Sequence, residues 1–137
     1  MKKNPQDPGV SVLMVGEYDT DRELIRNVSS KLGWRLYEAR DRCRALECLT
    51  RNPVQVVLTE SEIPQWNWKD MLYFLCSLTR PPQLIVTSQT ADDTLWSEVL
   101  NMGGYDVLAR PFRQDEVERV IAAARRHFEP AVPLRAN

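Results

Sequence analysis

Five short apolar runs alternate with five stretches of helical periodicity, and this alternation constrains the fold more than any single residue does. Residues 10–15, 54–59 and 84–87 are nearly continuous apolar runs. Such runs suit strands buried on both faces of a parallel sheet. Residues 35–39 alternate polar and apolar side chains and read as an edge strand, and a short fifth strand is expected over residues 106–109. Between the strands, Leu24, Ile25, Val28 and Leu32 recur at helical spacing, as do Ala45, Leu46 and Leu49 in a second helix over 42–51. After a long loop over 60–68, a third helix (69–79) turns Leu72, Leu75, Cys76 and Leu78 inward. A fourth is expected over 91–102, and a fifth over 114–127 buries Val117, Val120, Ile121 and Ala124. Gly33, Asn52-Pro53, Pro81-Pro82 and Gly103-Gly104 supply the stops, and the stretch from Asp19 to Asp21 supplies N-cap candidates for the first helix. Strict βα alternation means an α/β fold: a five-stranded parallel sheet with helices on both faces, since right-handed crossovers put a helix between successive strands.

Composition removes several functions. The 137 residues suffice for one domain, expected over 10–128, with flexible ends at 1–9 and 129–137. A formal net charge of −1 lacks the basic excess of a nucleic-acid binder. Lys2 and Lys3 lead into Asn4-Pro5-Gln6-Asp7-Pro8 rather than an apolar segment. Nothing approaches the roughly 18 apolar residues of a membrane span. A cytoplasmic protein away from membranes is therefore expected. Cys43, Cys48 and Cys76 form no C-x-x-C pair and adjoin no histidine cluster, so buried reduced thiols are expected, with redox sensing the alternative. His127 is the only histidine, and no G-x-S-x-G, Walker or G-x-G-x-x-G motif is present. Catalysis by the usual nucleophile, zinc or nucleotide routes is not expected.

Open parallel sheets build their sites at the carboxyl ends of the strands. Those places read Gly16-Glu17-Tyr18-Asp19, Glu60-Ser61-Glu62-Ile63-Pro64, Thr87-Ser88 and Arg110-Pro111-Phe112. With Gly103-Gly104-Tyr105-Asp106, and over residues 11–128, they resemble the receiver domain of bacterial two-component response regulators. The resemblance implies a doubly wound sheet in the flavodoxin-like order 2-1-3-4-5. It also implies an acidic pair that holds Mg²⁺, an aspartate phosphorylated by a histidine kinase, and a hydroxyl and a lysine that hold the phosphoryl oxygens. Transferred residue by residue, the acidic pair falls on Gly16 and Glu17, the phosphoacceptor on Glu60, the switch hydroxyl on Thr87 and the lysine on Arg110. Pro111 becomes the candidate for a cis peptide, Trp68 replaces a usual glycine, and the aromatic switch position falls on Val107.

Three polar positions are thus altered together. Phosphoryl transfer is mostly positioning and charge neutralisation. Glutamate carries its carboxylate about 1.5 Å further than aspartate by ordinary bond lengths, and a misplacement of about 1 Å can lower a rate roughly a hundredfold. Glu17, Glu60 and Glu62 remain as a weak Mg²⁺ set; otherwise no cofactor is expected. Arg110 suggests a replacement for the ion, because a guanidinium pairs with carboxylates and stays charged when partly buried. Glu60 is expected to pair with Arg110, Thr87 or both.

Other features have two readings each. Trp66 and Trp68 either lid the altered pocket or anchor their loop. Trp96 and Leu100, one turn apart, and Val107 lie on the face through which receivers meet partners, where exposed tryptophan marks interfaces; tucking against neighbours is the alternative. Arg125, Arg126 and His127 complement a helix dipole. The expectation is a pseudo-receiver, a phosphorylation-independent module that binds a signalling protein or a second copy, with no output domain after the fifth helix. Two rivals stand beside it. One is a true phosphoacceptor using Glu60, Thr59 or Ser61, which retained Mg²⁺ binding would favour. The other is a small-molecule binder of flavodoxin-like shape, whose anion Glu17, Glu60 and Glu62 would repel.

Overall fold

A computed structural model describes residues 9–128. The flexible ends expected at 1–9 and 129–137 lie, apart from Gly9, outside the described residues. β1 (Ser11–Val15), α1 (Asp19–Leu32), β2 (Arg35–Ala39), α2 (Arg42–Arg51) and β3 (Val56–Glu60) come first. A small hairpin of β4 (Glu62–Ile63) and β5 (Trp66–Asn67) follows, then α3 (Trp68–Cys76), β6 (Gln83–Ser88), α4 (Asp93–Met102), β7 (Asp106–Ala109) and α5 (Gln114–His127). The five main strands are parallel in the order β2-β1-β3-β6-β7. With the hairpin set aside, this is the expected 2-1-3-4-5, and the alternating strand β2 is indeed an edge.

The two-residue period of a strand divides the core into two layers. Leu13, Val15, Val57, Leu84 and Val86 face α2 and α3 in one cluster. Val12, Met14, Val56, Leu58, Ile85 and Leu108 face α1 and α5 in the other, closed by Ile25, Val117, Val120, Ile121 and Ala124. Leu58 and Ile85 are fully buried, so truncating either to alanine removes about 2–5 kcal/mol of stability.

Four expectations fail, each for a local reason. The loop over 60–68 is a hairpin, with Glu62 opposite Asn67 and Ile63 opposite Trp66, turning at Gln65 with φ 65°. Two-residue strands are too short to show a period. Asn67 then caps α3 reciprocally: its side chain accepts from Lys69 N and Asp70 N, while Asp70 accepts from Asn67 N. That capping box starts α3 one residue early. In α1 no carboxylate caps the helix; Tyr18 stands at the cap in a left-handed conformation, and Asp21 is buried instead. Finally, Cys43 and Cys76 are exposed and Cys48 is half-buried, where buried thiols were expected. Cys76 ends α3 on its outer side, and Cys43 lies in the exposed first turn of α2.

Candidate functional site

The strand period brings the site together before any side chain is considered. Residue 60 lies on the same side of the sheet as Leu58, Thr87 on the side of Ile85, and Arg110 on the side of Leu108. All three emerge at the carboxyl ends of adjacent strands, over the layer that holds α1 and α5. Register places Glu60 beside Thr87 and Thr87 beside Leu108.

Arg110 fills the centre. Its Nη1 donates to Glu60 Oε1 at 2.9 Å and its Nε to Asp21 Oδ2 at 2.9 Å. The three side chains are only 11%, 19% and 10% exposed, respectively. Each carboxylate also accepts one backbone N–H: Glu60 Oε1 from Tyr18 N at 3.1 Å, Asp21 Oδ1 from Phe112 N at 3.2 Å. A cation shared by two carboxylates, each further hydrogen-bonded, meets the condition under which buried charge is tolerated. Of the two partners expected for Glu60, Arg110 is the one it takes. The Arg110-Pro111 peptide is cis.

Thr87 is engaged elsewhere. Its hydroxyl donates to Thr59 O at 3.3 Å, and so accepts from the Tyr18 hydroxyl at 2.9 Å. Tyr18 is fully buried. Its ring stacks against Phe112 with centroids 5.9 Å apart and lies under the Arg110 guanidinium, 4.9 Å from the ring centre. Burial above all pushes the Tyr18 phenol well above its ordinary value of 10.0, with the Glu60 charge adding to the effect and the Thr87 hydrogen bond opposing it. Tyr18 is therefore a neutral donor.

The loop after β1 is equally committed. Gly16 has φ 133°, and a Cβ there would lie 2.7 Å from Glu60 Cδ and Cγ. Arg22, buried, donates through Nη2 to Gly16 O at 2.6 Å and Glu17 O at 2.7 Å, and pairs through Nη1 with Glu38. Arg26 also holds Glu38, at 3.0 Å, and this contact first and Arg22 second keep the Glu38 carboxyl below its ordinary value.

These residues do not fit Mg²⁺. The weak set of Glu17, Glu60 and Glu62 does not converge. Glu17 is exposed and paired with Arg40 at 2.7 Å, Glu60 is held by Arg110, and Glu62 is exposed on the hairpin. Gly16 offers no carboxylate, and among the described residues no three His, Cys, Asp or Glu side chains are placed to hold a metal ion. The other sequence candidates lie further out. Trp68 is buried in the α2/α3 core and Trp66 packs on the same cluster beneath Arg42, so both anchor the hairpin rather than lid Glu60. Thr59 is buried and Ser61 half-buried. Trp96 is 49% exposed, and Leu100 and Val107 are half-buried.

Tyr18, Asp21 and Arg22 complete the site, and all three escaped sequence reasoning. The available signal was charge: one arginine among several carboxylates needs more than one partner, and Asp21 exceeds what a helix cap requires.

No protein-family model matches the chain, and no curated protein matches it. Solved structures do. A signal receiver domain of an HD domain-containing protein from Pseudomonas fluorescens Pf-5 superposes with a TM-score of 0.76 at 22% identity, covering 87% of this chain and 96% of that one. The receiver domain of a Francisella response regulator gives 0.72 at 20% identity, covering 88% and 100%. A chemotaxis response regulator of Vibrio cholerae gives 0.75 at 14% identity, covering 85% and 98%. At these identities the likeness establishes the fold: the chain folds as response regulator receiver domains do.

Proposed function

We propose that this chain is a pseudo-receiver, a module of two-component-type signalling that works through protein–protein contact without being phosphorylated and without catalysing a reaction. The observation that carries the reading is the Arg110 guanidinium seated between Asp21 and Glu60. A receiver needs an open carboxylate there, with a metal and phosphate beside it. Here the chain's own cation neutralises the carboxylate, Tyr18 occupies the Thr87 hydroxyl, and Arg22 ties the loop carbonyls. The resulting state is single and fixed, because every polar group that would have to release is already hydrogen-bonded.

The surface that meets a partner lies on α4, β7 and α5. α4 buries only Val99, and Trp96 lines a shallow cleft of about 420 Å³ with Val107, Ala109, Asp93 and Glu116. Exposed tryptophan beside carboxylates suits a protein partner carrying an apolar anchor and basic residues, or a second copy of the chain. No helix among the described residues is long and apolar enough to cross a membrane, in keeping with a cytoplasmic module.

Amide NMR tests the reading. The spectrum is recorded with Mg²⁺ alone and then with beryllofluoride added. Unmoved Tyr18, Glu60, Thr87 and Arg110 resonances are expected. Saturable shifts at those residues would mean that the pocket still assembles metal and phosphate analogue, and the reading would fall.

A further inference from the structure

At the opposite end of the sheet, roughly 16 Å from Glu60 by strand rise, a cleft of about 320 Å³ opens between the ends of α2, α3 and α5. Leu49, Val54, Leu78, Pro82 and Phe128 form its apolar walls. This is the small end of the range for ligand pockets.

Two polar side chains, Gln55 and Arg80, are among those that line it. Gln55 is 5% exposed and lines the cleft. Its Oε1 accepts from Ser11 N at 3.0 Å, its N donates to Ser11 O and its O accepts from Gln83 N. Its side-chain Nε2 donates to nothing among the described residues, although Ser29 Oγ is the only sealed polar side-chain atom there without a partner. The Gln55 Nε2 is therefore open to solvent, in a residue that lines the cleft. A donor that water alone satisfies is free to exchange that water for a ligand oxygen. At the rim, the Arg80 guanidinium lies 5.1 Å from the Phe128 ring centre and has no carboxylate partner among the described residues.

We propose that this cleft binds a small carboxylic acid with an apolar body. The body lies against Leu49, Val54, Leu78 and Phe128, an oxygen accepts from Gln55 Nε2, and the negative charge faces Arg80. The Glu60 end of the molecule takes no part, so the site stands or falls apart from the signalling reading.

The probe is 4-phenylbutyrate, titrated into the full isotope-labelled chain and followed by NMR at the Gln55 side-chain amide. Saturable shifts of that amide together with Val54, Leu78 and Phe128 are expected. Arg80→Gln, a surface change that leaves the walls intact, is expected to weaken binding roughly tenfold. The uncharged 4-phenylbutyramide is expected to bind the native chain more weakly to a similar degree. Leu78→Trp, which fills the cleft, is expected to abolish the shifts. No saturable shift up to about 10 mM acid, a weak limit on the affinity scale, would overturn the proposal. So would affinity indifferent to Arg80→Gln, or shifts at the Trp96 surface instead. Shifts of the Gln55 amide that follow protein concentration without the acid would give the cleft to a second copy, and would likewise overturn it.

Discussion

Gly16 and Glu60 exclude one another's growth: a Cβ on residue 16 would stand 2.7 Å from both Cγ and Cδ of the glutamate. The side chain of residue 60 and the lack of one at residue 16 are therefore a single steric arrangement. Glycine after β1 leaves the room that the Glu60 side chain after β3 occupies.

The first expected outcome concerns that pair. Gly16→Ala adds a Cβ at φ 133° and drives it into Glu60, which should destabilise the chain by about 2–4 kcal/mol. Glu60→Ala in the same chain relieves the clash but not the backbone strain. Urea denaturation of both singles and the double should show coupling of about 1 kcal/mol or more; strictly additive losses would separate the two residues.

Arg110 holds two carboxylates that are otherwise buried together. Arg110→Gln leaves Asp21 and Glu60 facing each other without a cation and should remove about 3–5 kcal/mol. Glu60→Gln keeps the shape and an acceptor for Tyr18 N but weakens the pairing, for a smaller loss of about 1–2 kcal/mol. Denaturation that finds Glu60→Gln as stable as the native chain would dismiss the pairing as a stabilising contact.

Tyr18 gives the fold an alkaline limit. Its phenol ionises at a higher pH folded than unfolded, so its contribution is complete below the ordinary value of 10.0 and is lost as pH rises beyond it. Thermal denaturation should weaken steadily above pH 10 in the native chain. Tyr18→Phe, which leaves Thr87 its bond to Thr59 O, should lower stability by about 1 kcal/mol at neutral pH and flatten the alkaline decline. An unchanged decline in the variant would place the sensitivity elsewhere.

Glu38 works at the acid end with the opposite sign. Held below its ordinary value of 4.5 by Arg26 and Arg22, it stabilises the fold above that pH, and the contribution fades as pH falls through its lowered value. Glu38→Gln should be less stable than the native chain at pH 7, by about 1 kcal/mol after allowing for partial exposure. The gap should close in acid. A gap that persists at pH 2 would mean the loss is packing rather than charge.

The fold was legible because short apolar runs alternate with stretches of period 3.6 from Val10 to His127. The edge character of β2 followed from its polar/apolar alternation, and the buried face of α5, Val117 to Ala124, from its period of 3.6. The site was legible only where strand ends marked it, at Glu60, Thr87 and Arg110. Asp21 was hidden by a competing local rule, since an aspartate at a helix start reads as a cap. Tyr18 was hidden because its hydroxyl meets Thr87 across a separation of 69 residues, and only the register of β1, β3 and β6 brings them together. The hairpin at Glu62 to Asn67 escaped because two-residue strands carry no period, and the exposure of Cys43 and Cys76 because side-chain type alone does not say which way a helix turns.

The central claim is that the chain's own residues fill the phosphoryl site. The most direct measurement is intact-protein mass after incubation with Mg²⁺ and acetyl phosphate, a small phosphodonor that needs no kinase. An unmodified mass is expected at every time point. A phosphate adduct on Glu60 would contradict the account, because it would require Arg110 to release Glu60 and admit the metal; an adduct on Thr59 or Ser61 would contradict it by showing a chain that is phosphorylated.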